Sequence, residues 1–298
     1  MGSNIIEREN ENSSIEKLAA QSALYTRAKV FFYLQAIISV LFVVLLSFLQ
    51  HFVKTNEFSL VIAFYSLLAM ILDFVLEKNI SSVKEKAAKI QEKFDTYVLN
   101  IPWNHILVGA KPEHGEILLY YKKYTKNKTT EKLFNWYSVD ITKLSGNIAK
   151  LICQKSNCNY DISIRKHFNL IIYIISSVSF LCIVINSLIS GITVANLFLI
   201  TLAPLAPLFQ WAYKHIDNNR NSISKIATLT TIIDSSWEDV KKSKVIADST
   251  IRYIQDSIYL NRTANPLMPD FLYNILRPRN EATMNYTVQE LVREYENK

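Results

Sequence analysis

The stretch from Val30 to Val53, VFFYLQAIISVLFVVLLSFLQHFV, decides the fold class. It contains no Asp, Glu, Lys or Arg, and a helix needs about 20 apolar residues to cross a bilayer. A second apolar run, from Phe58 to Leu76, is interrupted only by Asp73 and follows the short link KTNE. The two runs therefore predict a hairpin of two membrane-spanning helices.

A second pair of membrane segments is predicted further along the chain. The stretch from Phe168 to Tyr213 has no formally charged side chain, and it is too long for one crossing at about 1.5 Å per helical residue. Gly191 marks a turn between a third segment, Phe168–Ile189, and a fourth, Thr193–Tyr213. A buried soluble hairpin is the alternative, but runs this apolar rarely stay in water. The predicted fold is mainly α, a polytopic membrane protein with four transmembrane helices in two hairpins and a largely helical cytoplasmic unit.

Apart from Lys54, which stands with Glu57 at a hairpin tip, the positive charges that flank these segments all lie on one side. They are Lys17, Arg27, Lys29, Lys78, Lys84, Lys86, Lys89, Lys93, Arg165, Lys166, Lys214, Arg220 and Lys225. Because Lys-rich and Arg-rich flanks remain in the cytoplasm, both termini and both soluble blocks are predicted there. The predicted organisation is a cytoplasmic N-terminal helix (1–29), a first hairpin (30–76), a cytoplasmic helical insert (77–167), a second hairpin (168–213) and a cytoplasmic C-terminal long helix with a Pro-broken motif (214–298).

Composition favours binding over catalysis. The chain has 298 residues, a formal net charge of +7 and five glycines. A basic balance fits nucleic acid, anionic lipid head groups or a phosphorylated small ligand, whereas so few glycines leave little room for phosphate-cradling loops. Cys153 and Cys158 are spaced C-x4-C without a second pair, which is poor metal spacing. We predict no catalytic residue, no metal site, no cofactor and no enzymatic activity.

Four residues inside the membrane segments are candidates for gating. Asp73 faces either a pore or bundle interior, or lipid head groups. Pro204 and Pro207 remove backbone donors and should kink the fourth helix, as a hinge or as static packing. Asn186 shares one face of the third segment with several serines, which indicates either helix–helix contact or a weakly hydrated pore lining.

The soluble blocks show helical patterns. Apolar residues keep a three-four rhythm from Ile223 to Ile258, which as one helix gives a rod of roughly 50 Å. This stripe packs either on the chain's own helices or in a coiled coil between subunits. Ser13 and Glu16 have the spacing of a capping box, which predicts a helix start. The stretch EILLYYKKY from Glu116 is consistent with a short strand or an exposed helix.

The segment from Asn261 to Arg277, NRTANPLMPDFLYNILR, is polar and twice broken by proline. A helix is predicted to end near Asn261, and a short helix capped by Asp270 to restart beyond the prolines. Arginine suits phosphate and tyrosine suits base stacking. The predicted ligand-binding residues are Arg262, Arg277, Tyr259, Gln255, Asp270, Trp103 and Tyr273. The alternative is a self-satisfied ionic network, such as Asp270 with Arg262.

Four stretches resemble one known family. They are LAAQSALYTRAK (18–29), KFDTYVLNIPWN (93–104), NCNYDISIRKHF (157–168) and IQDSIYLNRTANPLMPDFLY (254–273). With the paired membrane hairpins they are similar to the SMODS-associated four-transmembrane effectors of bacterial anti-phage defence, over nearly the whole chain. Gln21, Tyr25 and Lys29 match the usual family pattern in the first stretch. In the last stretch the matching residues are Gln255, Asp256, Arg262, Pro266, Pro269 and Asp270, whereas Phe271 stands where many relatives carry Trp.

The resemblance implies a role in bacterial CBASS signalling. A neighbouring nucleotidyltransferase makes a cyclic oligonucleotide on infection; the effector binds it, oligomerises and permeabilises the inner membrane, which halts growth. The expected partners are the cyclic oligonucleotide, the lipid bilayer and further copies of the chain, with no nucleic-acid duplex. A membrane scaffold that recruits a protein through its cytoplasmic rod is the alternative, and an enzyme acting on lipid is a third and weaker option.

Overall fold

The computed structural model describes residues 2–50, 52–53, 55–189 and 202–297, and within them it contains no strand. The side chains of Ser3, Asn186 and Ser187 also lie outside this description. The α-helices are α1 (Gly2–Glu9), α2 (Asn12–Ala36), α3 (Phe42–Leu49), α4 (Asn56–Val98), α5 (His105–Val108), α6 (His114–Thr125), α7 (Gly146–Ile189), α8 (Ala206–Ser243), α9 (Asp248–Ala264) and α10 (Asp270–Glu296). The predicted mainly-α class is confirmed.

Three helices are long and apolar enough to cross a membrane: Asn12–Leu49, Asn56–Val98 and Gly146–Ile185. They contain the apolar runs that predicted the first three spans. The predicted fourth span starts at Thr193, so its first part and the turn at Gly191 lie outside the described residues. The end of that span is described: Ala203–Leu205 forms a 3-10 turn, and α8 begins at Ala206.

The first spanning helix contains a π-helical segment, Ile37–Leu41, between α2 and α3. A π turn shifts the pattern of backbone hydrogen bonds in the helix, so that a carbonyl oxygen can accept a hydrogen bond from a side chain. The Tyr65 hydroxyl on α4 donates a hydrogen bond of 2.7 Å to the carbonyl oxygen of Ile38. The hydroxyl thereby satisfies the backbone at this irregularity and joins the two helices of the first hairpin.

The chain divides into two compact units. The polar unit comprises Met1–Arg27, Ser82–Arg165 and Asn221–Lys298, and the apolar unit comprises Ala28–Ser81 and Lys166–Arg220. Each unit is therefore assembled from segments that are far apart in the sequence. The helices α2, α4, α7 and α8 each contribute residues to both units.

The core of the polar unit contains the apolar stripe of the predicted rod. Its buried members are Ile226, Ile233, Trp237, Val240, Ile251, Ile254 and Ile258. The stripe thus packs on the chain's own helices. The expectation of one continuous helix is wrong, because α8 ends at Ser243 and α9 begins at Asp248. Lys244 between them has φ +58°, a left-handed backbone that a helix cannot continue through.

The structure decides two local predictions. The stretch EILLYYKKY lies in α6, whose Ile117, Tyr120 and Tyr124 are buried. The predicted helix start is confirmed to within one residue, because α2 begins at Asn12. Ser13 lies inside the helix rather than at the capping position, and its carbonyl oxygen accepts a 2.7 Å hydrogen bond from the Lys17 ammonium.

The Pro-broken segment is confirmed, with two differences at its ends. α9 continues to Ala264, three residues beyond the predicted end, before Asn265 and Pro269 take up extended backbone. Proline cannot donate a backbone hydrogen bond, and it disfavours helix in the residue before it. Asp270 is the first residue of α10, with Pro269 at the capping position, and α10 runs for 27 residues rather than forming a short helix.

Candidate functional site

A buried polar network joins α4 to α9 in the polar unit. Glu92 and Asp95 are three residues apart on α4, so both carboxylates lie on one face of the helix. Gln255 of α9 is fully buried, and its side-chain Nε2 donates to Glu92 Oε2 at 2.8 Å and to Asp95 Oδ2 at 3.0 Å. One amide group therefore bridges two carboxylates that water does not reach.

Two arginines of α9 neutralise these carboxylates. Arg262 forms an ion pair with Asp95. Arg252 Nη2 lies 2.8 Å from Glu92 Oε1 and 2.8 Å from Asp256 Oδ1. Positions 252, 255 and 262 are separated by three and seven residues, which places them on one face of a helix with a period of 3.6 residues. The sequence of α9 therefore presents its polar face to α4.

The electrostatic state of Arg262 follows from burial and from its partner. Burial by itself lowers the pKa of Arg262, but the adjacent Asp95 carboxylate outweighs this effect and raises the pKa above its ordinary value. The guanidinium is fully charged, and its side chain is 14% exposed. A charge in such a position is stable only while its counter-charge remains in place.

Helix α7 extends the network on one side. The Gln154 Nε2 donates to Gln255 Oε1 at 3.2 Å and to the carbonyl oxygen of Ile251 at 3.0 Å. Gln154 is itself fully buried. Three helices that are distant in sequence are therefore held together through a chain of amide and carboxylate contacts.

The Pro-broken segment after α9 is anchored by side chains of α7 and α4. Arg165 Nη1 donates to the carbonyl oxygen of Pro266 at 3.2 Å, and the Asn265 Nδ2 donates to Asp161 Oδ2 at 3.1 Å. Lys84 of α4 donates to the carbonyl oxygen of Asn265 at 2.9 Å. The extended backbone at 265–266 thus finds partners outside its own helices, as irregular backbone must when it is buried.

The predicted ligand-binding residues fall into three groups. Gln255 and Arg262 belong to the network, where the ion-pair partner shown for Arg262 is Asp95. Tyr259 is buried beside Ala88 and Val108, with Trp103 packed against the same small cluster. Burial raises the pKa of Tyr259 to about 12, so its hydroxyl stays protonated.

The third group lies on α10. Arg277 Nε contacts Glu281 Oε1 at 2.6 Å, and the Tyr273 ring lies 5.7 Å from the ring of Tyr160. Asp270 starts the same helix and is partly buried. Arg277 is the more accessible of the two predicted phosphate-binding arginines, with a side chain 32% exposed.

Sequence reasoning missed several members of the network: Glu92, Asp95, Arg252, Gln154, Asp161 and Arg165. Glu92 and Asp95 lie among the apolar residues Ile90, Phe94 and Val98 in the helical insert that follows the second span, and carboxylates on a buried helix require partners. That signal identifies the carboxylates but not the partners, because the partners lie more than 150 residues away in the chain.

The apolar unit contains an ion-pair cluster around Asp73. Lys214 Nζ lies 2.7 Å from Asp73 Oδ2 and 3.1 Å from Glu77 Oε2. Gln210 Nε2 donates to Asp73 Oδ2 at 3.4 Å, and Gln35 Nε2 donates at 3.3 Å both to the Asp73 carbonyl oxygen and to Glu77 Oε2. Asp73 is 3% exposed. Its carboxylate therefore faces neighbouring helices of the unit.

The other predicted gating residues lie elsewhere in the apolar unit. Pro204 is buried, and its carbonyl oxygen accepts a 3.1 Å hydrogen bond from the Ser66 hydroxyl of α4. Pro207 is buried in the first turn of α8, where a missing backbone donor costs no helical hydrogen bond. Asn186 lies on α7, and its side chain is outside the description.

Comparison with known families shows which group the chain belongs to. The SMODS-associating 4TM effector domain matches residues 3–291. The chain belongs to this family. The family that the four motif stretches indicated is thereby confirmed, and this SMODS-associating 4TM effector is a membrane protein with at least three helices of spanning character.

A relative of this 4TM effector has also been described in Bacillus cereus (strain VD146). It is 26% identical over 289 residues, covering 94% of this chain and 95% of its own length, and it is described as a probable CBASS effector molecule. No solved structure matches the chain. Within the described residues of this effector, no group of three or more His, Cys, Asp or Glu is arranged to hold a metal ion.

Proposed function

We propose that this 4TM effector is a non-enzymatic membrane effector of CBASS anti-phage defence, gated by a cyclic oligonucleotide. Membership of the effector family is the observation that carries the proposal. The name of the Bacillus cereus relative supports the pathway. In this proposal the polar unit binds the messenger, and the apolar unit then assembles with further copies to permeabilise the bacterial inner membrane.

The proposed ligand site combines the predicted arginines and aromatic residues. Arg262 and Arg277 would contact phosphates, and Tyr259, Trp103 or Tyr273 would stack on bases, with Gln255 and Asp270 supplying polar contacts. Because Arg262 is paired with Asp95, a phosphate must compete with that carboxylate. Ligand binding is thereby coupled to a weaker contact between α4 and α9.

This competition supplies the physical basis for gating. A ligand shifts a conformational equilibrium only by its difference in affinity for the two states. A state with Arg262 released from Asp95 offers the guanidinium to a phosphate, and the resting state does not. The helices α4 and α8 contribute residues to both units, so they are the elements that would carry the change.

The proposed topology places the polar unit in the cytoplasm, where the messenger is made. It includes a fourth crossing between residues 193 and 213 and both termini on the cytoplasmic side. The support is the distribution of Lys and Arg at the ends of the apolar runs. Reporter fusions at both termini test it, and a terminus found outside the inner membrane would contradict it.

Binding is tested by titrating the detergent-purified full chain with cyclic di- and trinucleotides in a calorimeter. Arg277→Ala should weaken binding by about 10-fold or more, since a charge-assisted hydrogen bond contributes about 1.5–3 kcal/mol. Arg279→Ala is the matched control, because Arg279 is an exposed neighbour on the same helix. Arg262→Lys keeps the charge beside Asp95 but loses the forked geometry, so it should also weaken binding. Equal affinity for all four proteins would remove the site assignment.

Permeabilisation is tested by dye release from vesicles that contain the full chain. Release on addition of the bound nucleotide is the expected result. Binding without release would leave the messenger assignment intact and contradict the permeabilising output. A scaffold acting through an exposed rod receives no support from the structure, because the apolar stripe of α8 and α9 is buried in the core of its own unit.

A further inference from the structure

In the cluster around Asp73, the ion-paired side chains carry more negative than positive charge. Two carboxylates, those of Asp73 and Glu77, share the single ammonium of Lys214 at 2.7 and 3.1 Å. The Asp73 side chain is 4% exposed and that of Lys214 is 23% exposed. A charged residue within a membrane helix is costly and is retained where it has a specific partner or function.

Two oxygen atoms of this cluster are buried acceptors without a donor. Within residues 2–50, 52–53, 55–189 and 202–297, Asp73 Oδ1 and Gln35 Oε1 accept no hydrogen bond. Gln35 is fully buried. Because the Gln35 Nε2 contacts both the Asp73 carbonyl oxygen and Glu77 Oε2, its Oε1 on the same carbon lies at the same cluster. A buried acceptor of this kind destabilises the folded chain unless a donor or a cation reaches it.

The donor set has the chemistry of a cation site. Carboxylate and amide oxygens are the ligands that hard cations prefer. The two carboxylates already hold an ammonium with one positive charge, and Asp73 Oδ1 and Gln35 Oε1, which are unpartnered among the described residues, are two further oxygen ligands in the same cluster. The ammonium has three donors, and Asp73 Oδ2 and Glu77 Oε2 are the acceptors it contacts.

We propose that Asp73, Glu77 and Gln35 form a binding site for a monovalent metal cation such as K⁺ or Na⁺, and that the Lys214 ammonium occupies this site in the structure described here. Lys214 acts as a tethered substitute for the cation. Its withdrawal leaves the two carboxylates without their ammonium. A cation then takes its place and also binds the acceptors that Lys214 leaves unpartnered in the described part of the chain, Asp73 Oδ1 and Gln35 Oε1. The site goes beyond the proposed gating by a nucleotide and does not depend on it.

The proposal predicts that a variant without the Lys214 ammonium gains a stability that depends on the cation in solution. Lys214→Met keeps the apolar stem and removes the ammonium, so the variant should acquire cation-dependent stability that the wild type lacks. A cation present at about ten times its Kd multiplies the folded-to-unfolded ratio about 11-fold. The test compares the Tm of the detergent-purified full chain in KCl or NaCl with its Tm in choline chloride at equal ionic strength.

Three controls separate the site from general salt effects. Lys214→Arg keeps a cation in place and should show no difference between K⁺ and choline. Lys78→Met removes an exposed lysine one residue beyond Glu77 and should also show none. Asp73→Asn combined with Lys214→Met removes the buried carboxylate and should abolish the dependence gained by Lys214→Met alone.

Folding of Lys214→Met is a separate concern, because it leaves two carboxylates without their ammonium. Glu77→Gln with Lys214→Met leaves one carboxylate and lowers that repulsion, and it should still be stabilised by K⁺ or Na⁺ over choline. Recovery of either variant as a folded protein only in the alkali salts supports the proposal. Equal Tm in alkali and choline salts, stabilisation by Ca²⁺ or Mg²⁺ but not by K⁺ or Na⁺, or failure of both variants to fold in any salt would overturn it.

Discussion

Removal of Arg262 tests the network more directly than any other substitution. In Arg262→Ala the Asp95 carboxylate, whose side chain is 2% exposed, keeps a 3.0 Å hydrogen bond from Gln255 Nε2. That amide already donates to Glu92 as well, so it cannot replace the lost charge. Breaking a buried ion pair by removing one partner costs about 3–5 kcal/mol. For a chain of this size each kcal/mol lowers Tm by roughly 2–4 °C, so a loss of about 10 °C is expected.

The assay is thermal unfolding of the detergent-purified full chain, followed by tryptophan fluorescence. Trp237 is 3% exposed in the core of the polar unit and reports its unfolding. Asp95→Asn in the Arg262→Ala background removes the isolated charge and should recover several degrees. Arg293→Ala is the control, because its pair with Glu290 is exposed and such pairs contribute about 0–1 kcal/mol. An Arg262→Ala protein that melts within about 2 °C of the wild type would refute the stabilising role assigned to the pair.

The remaining predictions concern burial and backbone conformation in the polar unit. Burial raises the pKa of Glu9 from 4.5 to about 8, so its contribution to stability is present below pH 4.5 and is lost as the pH rises towards 8. Glu9→Gln should remove this decrease in the free energy of unfolding, whose slope is at most about 1.4 kcal/mol per pH unit. Parallel Tm–pH curves for the two proteins would contradict the prediction. Lys244→Gly should be more stable than Lys244→Ala by about 1 kcal/mol in thermal unfolding, because φ is +58° and both lose the same side-chain contacts. Equal stability of that pair would contradict the left-handed assignment. Gln255→Glu should lower the free energy of unfolding by at least about 3 kcal/mol, because it places a third carboxylate between two buried ones, and a Tm equal to that of Gln255→Met would count against this reasoning.

The helices of this protein were predictable where a single feature of the sequence is enough to indicate them. The uncharged run from Val30 and the uncharged run from Phe168 predict spanning helices, because a bilayer requires length and apolarity and little else. The break at Lys244 was not predictable in the same way. Lysine has a good helical propensity, and the three-four rhythm continues on both sides of it. The helix ends there because α8 and α9 pack their stripes into one core, which is a tertiary effect.

The candidate site was predictable in composition but not in pairing. The arginines and tyrosines near the two prolines are conspicuous in the sequence, and Gln255 and Arg262 do lie in one network. The ionic network that was the alternative to ligand binding paired Arg262 with Asp270, eight residues away, whereas the structure pairs it with Asp95, 167 residues away. Local spacing identifies which side chains share a helical face, but the element on the other side of that face is set by packing of the whole unit.

The two polar clusters explain how apolar helices find specific neighbours. Apolar side chains pack against one another with little directional preference, so an apolar stripe alone allows several registers. A buried carboxylate allows only one register, because it is stable only when its own donor lies opposite to it. Asp95 requires Arg262 and Gln255, which fixes α9 against α4 in the polar unit. Asp73 requires Lys214 and Gln210, which fixes α8 against α4 in the apolar unit. Because α4 carries both carboxylates, a ligand that competes for Arg262 and a cation that competes with Lys214 would each release a different neighbour of the same helix.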